Sequence, residues 1–252
     1  MKMIFCIYDR SELLSYFLRY YQRMGITYFF CGVHNGSDNP LYAQIKKLTS
    51  EYPLQVFESF RDAPAGLSIG DAEIAALQKI RTGWNPEEWH AIADLDEFVY
   101  FPKALDYSQM SKQADACGYN AIQGTLCDRI ASDGSFPPIG QTLDDTYPYT
   151  CELTKCIGGN TSKIVLLKSR VELLPGHHYC LGNVIEGIAH VHHFKWINGV
   201  AERMLKRHRW YVESGISWAY ESANLLKSLD ESGRILLTLP DLNVTIAERI
   251  GI

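Results

Sequence analysis

The chain has no CxxC pair. Its seven cysteines, at positions 6, 31, 117, 127, 151, 156 and 180, are odd in number and irregular in spacing. That argues against a disulfide framework, and they read as reduced thiols of a cytoplasmic protein. Positive charge is not in excess: a net charge of −5 and a sequence pI near 5.9 give no global attraction to nucleic acid or to an anionic membrane. No apolar run approaches the ~18 to 20 residues needed to span a bilayer, so membrane contact is expected to be peripheral at most. The apolar start, Met1 to Tyr8, is too short for a signal peptide and is followed at once by Asp9 and Arg10. Internal repeats and low-complexity tracts are lacking as well.

What is present is the composition of an ordinary α/β protein. With 252 residues, 46% hydrophobic and 21% charged, the chain can bury a substantial core as one domain or as a domain with an appendage. The first half alternates strand-like and helix-like segments, which predicts a mainly parallel sheet flanked by helices. Strands are predicted at 3–8, 28–33, 54–58 and 89–93. Ser11 reads as an N-cap for a helix in which Leu13, Leu14, Phe17, Leu18 and Tyr21 recur at helical spacing until Gly25. Further helices are predicted over 41–51 and 70–82, with a loop over 59–68 between strand and helix. Beyond residue 105 come a helix at 107–117, a strand at 121–127 and a turn-rich stretch over 128–160. A hairpin is predicted from 162–168 and 171–174, then a strand at 189–194 and amphipathic helices over 202–213 and 218–229.

The stretch Asp94-Leu95-Asp96-Glu97-Phe98 ends the apolar run Trp89-His90-Ala91-Ile92-Ala93. In open α/β sheets ligands gather at the carboxyl ends of strands, so the position suits a site. In an extended segment Asp94 and Asp96 share a side, with Leu95 turned to the core. Two such carboxylates can hold a divalent ion that also grips phosphate oxygens. Without context such a pair is common, and the plain reading is an acidic strand end.

Five of the eight histidines fall between 177 and 193. His190 and His192 face one way along a strand and His193 the other, and a neutral imidazole is a good third ligand for a Mn²⁺-like ion. Core histidines bonded to backbone are the competing reading. Lys195, Arg203, Lys206, Arg207 and Arg209 follow, interleaved with Trp196 and Trp210. A solvated helix face is the usual meaning of such a run, but Lys195 and Lys206 could offset the charge of a leaving diphosphate. The loop from Asn35 to Asn39 could hold a nucleoside or be a plain turn. Asp128 is the first candidate for a general base and Asp133 the second, although Asp133-Gly134 is also a turn dipeptide.

Together these elements resemble the glycosyltransferase family 2-like proteins of the GT-A fold, in the subgroup with a DxDEF-type motif. The resemblance runs through Tyr8-Asp9-Arg10-Ser11-Glu12, Tyr20 to Ile26, Asn35-Gly36-Ser37-Asp38, Ala93 to Phe98, Gly124 to Arg129, Gly176-His177-His178 and His190 to Lys195. It covers roughly residues 3 to 210. It implies a GT-A-like, Rossmann-type fold with a catalytic domain over 1–210, its nucleotide-binding half about 1–105 and its acceptor half about 106–210. A C-terminal helical extension over 211–252 would pack on that domain. It also implies a nucleotide-diphosphate-sugar donor and transfer to an acceptor hydroxyl; the working expectation is a UDP- or GDP-sugar, a glycan or lipid-linked acceptor in surface glycan or polysaccharide synthesis, and an inverting transfer. The implied cofactor is Mn²⁺ or Mg²⁺, held by Asp96 with Asp94 and completed by His193 or His192. Asp9, Arg10, Glu12, Asn35, Asp38, Asp94, Lys195 and Lys206 would meet the donor. The chain departs from the family pattern at His34-Asn35, in place of a paired acid, and at Tyr8-Asp9-Arg10, where many relatives carry a Lys-Asn pair. Two alternatives stand beside this reading: a haloacid-dehalogenase-like phosphatase using the first aspartate as nucleophile, and a non-catalytic nucleotide- or sugar-binding module.

Overall fold

The computed structural model describes residues 1–8, 11–60 and 69–252. Asp9, Arg10 and most of the loop expected over 59–68 lie outside the described residues. The chain runs β1 (Lys2–Ile7), α1 (Ser11–Arg23), β2 (Tyr28–His34), α2 (Tyr42–Leu48), β3 (Leu54–Phe60), α3 (Ile69–Arg81), β4 (Trp89–Ile92), β5 (Glu97–Tyr100), α4 (Tyr107–Ala116) and β6 (Ala121–Ile130). It continues through α5 (Leu143–Thr146), β7 (Tyr149–Cys151), α6 (Leu153–Cys156), β8 (Ser162–Lys168), β9 (Glu172–Leu173), β10 (Cys180–Leu181), β11 (Val184–His193), α7 (Val200–Glu213), α8 (Ala219–Lys227) and β12 (Thr245–Ile246).

The chain divides into two compact units, Met1–Thr125 with Ser162–Val191, and Leu126–Thr161 with His192–Ile252. In the first, β1 lies between β2 and β4, and β3 lies beyond β2, all four strands parallel. This is the Rossmann-like α/β arrangement that the alternating pattern predicts. Next to β4 the sheet turns antiparallel through β8 and the first half of β6. α1 forms where expected: Leu13, Leu14, Phe17, Leu18 and Tyr21 are buried, each worth ~1.5–3 kcal/mol of transfer from water. Gly25, at φ +85°, ends it in a backbone conformation that suits glycine. α4 starts with a reciprocal cap in which Asp106 accepts from Gln109 N and Gln109 accepts from Asp106 N.

In the second unit β7 pairs antiparallel with Asp128–Ile130 of β6, and β12 pairs with β7. The core there gathers Ile130, Leu153, Ile157, Trp196, Val200, Met204 and Leu225. α7 and α8 belong to this unit, as does the turn-rich stretch, which folds into α5, β7 and α6.

Two local expectations are corrected. The predicted hairpin of 162–168 with 171–174 does not form, because β8 spends its backbone groups on β4 and β6 while β9 pairs with β10. Residues 94–97 are a turn between β4 and β5 rather than extended strand. Glu97 N donates to Asp94 O at 3.0 Å, and the Glu97 carboxylate accepts from Asp94 N at 3.1 Å, so the two residues close the turn on each other. Strand alternation therefore does not set the relation of Asp94 to Asp96. Among the described residues no helix is long and apolar enough to cross a membrane.

Candidate functional site

The strand order of the first unit places β2 and β3 on one side of β1 and β4 on the other, so a topological switch point falls between β1 and β4. At such a point the loops leaving the two strands part and leave a crevice at their carboxyl ends. Asp94 follows β4 at that edge. β8 runs antiparallel to β4, with Ala91 paired to Leu166, so the start of β8 comes level with the end of β4. Lys163 sits there, with Nζ 2.5 Å from Asp94 Oδ2 and 3.0 Å from Glu97 Oε1.

Three further groups approach Asp94. Glu73 projects from α3, whose Ile74, Leu77 and Ile80 anchor it in the core. His177 lies in the loop between β9 and β10, with Nδ1 3.9 Å from Asp94 Oδ1 and Nε2 3.8 Å from Glu73 Oε1. Its φ of +55° follows Gly176 at +77°, so both residues take the left-handed backbone region. One donor atom each from Glu73, Asp94 and His177 lie within 4.8 Å of one another. His178, the next residue, is tied by Nδ1 to Ser162 O at 2.6 Å.

Electrostatics distinguish the members. Burial pushes the Glu73 carboxyl up to about 8, the Asp94 charge adds to this, and Lys163 opposes it. Burial also disfavours charge on Asp94, but Lys163 more than offsets it and holds the carboxyl well below the usual carboxylate range. His177 is pushed down to about 3 by burial, against the pull of Asp94. Burial lowers Lys163 too, yet Asp94 and Glu97 outweigh it and keep the ammonium charged. Near neutral pH the set is thus one fixed ion pair beside a protonated Glu73 and a neutral imidazole.

The other residues singled out in the sequence fall as follows. Asp96 is buried in the turn after Asp94. Asn35, at φ +60°, leaves β2, and Asp38 is exposed in the short turn behind it. Asn39 pins that turn by donating from Nδ2 to Tyr8 O and His34 O, at 3.0 and 2.9 Å, which brings the ends of β1 and β2 together. Glu12 is exposed in the first turn of α1.

Asp128, Asp133, His192, His193, Lys195 and Lys206 belong to the second unit. Asp128 is buried and accepts from Thr154 N, Thr154 Oγ1, Trp196 Nε1 and His193 Nδ1 at 2.5 to 2.8 Å. Burial works against its charge, but the bonds to His193, Thr154 and Trp196 win and lower its pKa. A carboxylate so held is an anchor, and it places the His193 proton on Nδ1. His192 Nδ1 lies 3.2 Å from Arg129 Nη1 and must accept there, since a guanidinium only donates. Asp133 is exposed, bonded by Ser135 and 3.3 Å from Arg234. Lys195 Nζ lies 5.1 Å over the Trp196 ring, and Lys206 makes an exposed ion pair with Glu202.

Sequence reasoning missed Glu73 and the part played by Lys163. His177 stood inside the Gly176-His177-His178 motif, and that glycine was the available signal.

No family model matches the chain, and no curated protein matches it. Among solved structures, it is similar to UDP-glucose pyrophosphorylase complexed with UDP-glucose, at 10% identity and a TM-score of 0.30, covering 60% of this chain and 66% of that one. HddC from Yersinia pseudotuberculosis gives 10% identity and a TM-score of 0.39 over 82% of this chain and 98% of its own. The HddC complex with GMP-PN gives 11% and 0.36 over 75% and 92%. The chain thus spans just under two thirds of the pyrophosphorylase.

Proposed function

We propose that the protein is a divalent-cation-dependent glycosyltransferase, moving a sugar from a nucleotide-diphosphate donor to an acceptor hydroxyl. The observation that carries this reading is the acidic turn of Asp94, Asp96 and Glu97 at the switch point between β1 and β4. A crevice there is the general place for a nucleotide in an open α/β sheet. A carboxylate kept ionised by Lys163 is the donor that a Mn²⁺ or Mg²⁺ ion needs in order to bridge two phosphates. The ion would offset the charge of the departing nucleoside diphosphate. On this reading Asp96 and Asp94 supply carboxylate ligands, and the β2 exit, with Asn35 and Asp38, lies on the nucleoside side with Glu12. Asp128 is saturated by four donors, which argues against it as the base. A phosphatase of the haloacid-dehalogenase type would carry its aspartate at the end of the first strand of its core, whereas here the motif follows β4.

The test is a screen of UDP-, GDP-, CDP- and dTDP-sugars with and without Mn²⁺. One donor is expected to raise the melting temperature only with the metal, because a ligand of the native state stabilises it. That donor should release its nucleoside diphosphate when an acceptor is supplied. Asp96→Ala is expected to cut metal-dependent turnover at least a hundredfold with the circular dichroism spectrum unchanged. Undiminished turnover in that variant, or hydrolysis of a simple phosphomonoester with no response to any nucleotide sugar, would overturn the reading.

A further inference from the structure

Among the several buried side-chain atoms of the first unit without a hydrogen-bond partner, two face each other: Glu73 Oε1 and His177 Nε2, at 3.8 Å. Their side chains are 8% and 3% exposed. An orphaned buried polar atom typically costs ~1–3 kcal/mol, so this facing pair calls for a partner. Asp94 completes the group. Its Oδ2 is engaged by Lys163, while its Oδ1 is the oxygen turned toward His177.

We propose that Glu73, Asp94 and His177 form a divalent-cation cage, in which Lys163 is a built-in counter-charge to Asp94 and Glu97. Two carboxylate oxygens and one imidazole nitrogen suit Mn²⁺, Fe²⁺ or Zn²⁺ better than Ca²⁺, which prefers an all-oxygen shell of higher number. The dimensions fit: ligand bonds of ~2.0–2.2 Å let one ion bridge atoms up to about 4.4 Å apart. The 4.8 Å envelope of the three donors therefore closes by a few tenths of an ångström on binding. Charge fits as well. With Glu73 ionised, the carboxylates of Glu73, Asp94 and Glu97 against the one ammonium of Lys163 leave two negative charges, matched by one divalent ion. The left-handed backbone at Gly176 and His177 sets the direction of the imidazole. The three ligands come from α3, from the turn after β4 and from the loop before β10, so the ion would also tie these elements together.

This deepens the proposed function by adding Glu73 and His177 to Asp94 as ligands of its cation. It rests on that reading for the use of the ion but not for its binding. The experiment titrates the intact protein with Mn²⁺ alone, reading free Mn²⁺ by electron paramagnetic resonance and protein stability by thermal shift. Glu73→Gln and His177→Asn, the latter chosen because asparagine tolerates positive φ, are each expected to weaken Mn²⁺ at least tenfold with circular dichroism unchanged. Imidazole ligation is expected to add nitrogen couplings to pulsed spectra of bound Mn²⁺, lost in His177→Asn. Binding lost in these variants, without any turnover of a nucleotide sugar by the parent protein, upholds the cage and refutes the transferase. Binding that resists both variants and yields only to Asp96→Asn refutes the cage and leaves the transferase standing. No Mn²⁺ or Zn²⁺ binding at millimolar concentration refutes the cage outright.

Discussion

In the second unit every carboxylate oxygen of Asp128 and Asp144 has a partner. Thr154, Trp196 and His193 donate to Asp128, and Arg129 with the backbone N–H groups of Ile250, Gly251 and Ile252 donates to Asp144. In the first unit an equally buried group, Glu73 with His177, meets across 3.8 Å without a hydrogen bond. Both are buried polar clusters within one chain, yet only one is complete. A satisfied cluster rigidifies a fold, whereas an unsatisfied one costs stability and calls for an explanation such as a ligand, an ion or an ordered water. The comparison sets the saturated carboxylates of Asp128 and Asp144 apart from Glu73, Asp94 and His177, the proposed cation ligands.

The largest effect that would break this contrast is expected in the second unit. Arg129 and Asp144 form an ion pair at 3.0 Å with both side chains 1% exposed. Removing one partner of such a pair strands the other, at ~3–5 kcal/mol. Asp144→Ala is expected to lose about that much in denaturant unfolding, and a loss under ~1 kcal/mol would show that the pair is not an architectural element.

A change of opposite sign is expected at Glu73. A carboxyl whose pKa is raised to about 8 in the fold contributes stability that is fully present below its unfolded value of 4.5 and lost as pH rises through 8. Glu73→Gln removes that loss. In metal-free protein it should be as stable as the parent at pH 4 and more stable at pH 8, by on the order of 1–3 kcal/mol. A variant less stable than the parent at pH 8 would make Glu73 a structural residue.

A third effect sharpens the contrast by acid. Burial holds His90, and likewise His177, neutral down to about 3, against 6.5 in the unfolded chain. Their contribution is complete above 6.5 and falls as pH drops from there toward 3, at up to ~1.4 kcal/mol per pH unit for each. Hydrogen exchange at pH 7 and pH 5 is expected to show protection lost first in β1 and β4, and His90→Phe should reduce that loss. Equal loss across both units would contradict the assignment.

Much of the first unit was legible in the sequence because its elements are local: α1 declares itself by spacing and by Gly25, and β4 by an apolar run ending in acids. The pairing of β8 is not legible in the sequence, because its partners β4 and β6 are strands distant along the chain, which periodicity does not encode. The turn-rich stretch hid α5, β7 and α6 because each is only three or four residues long. At the site, Asp94 was visible and Glu73 was not. An acid on an amphipathic helix ordinarily faces water, and only the packing of α3 shows that this one does not.

The most direct test of the central claim is anomalous diffraction at the manganese edge from crystals soaked with Mn²⁺ and a nucleoside diphosphate. The expected result is a peak bonded to Asp94 at the carboxyl end of β4, about 2.2 Å from its ligands, with phosphate oxygens on its open side. An ion bound instead at His192 and His193, or none at all beside Asp94, would contradict it.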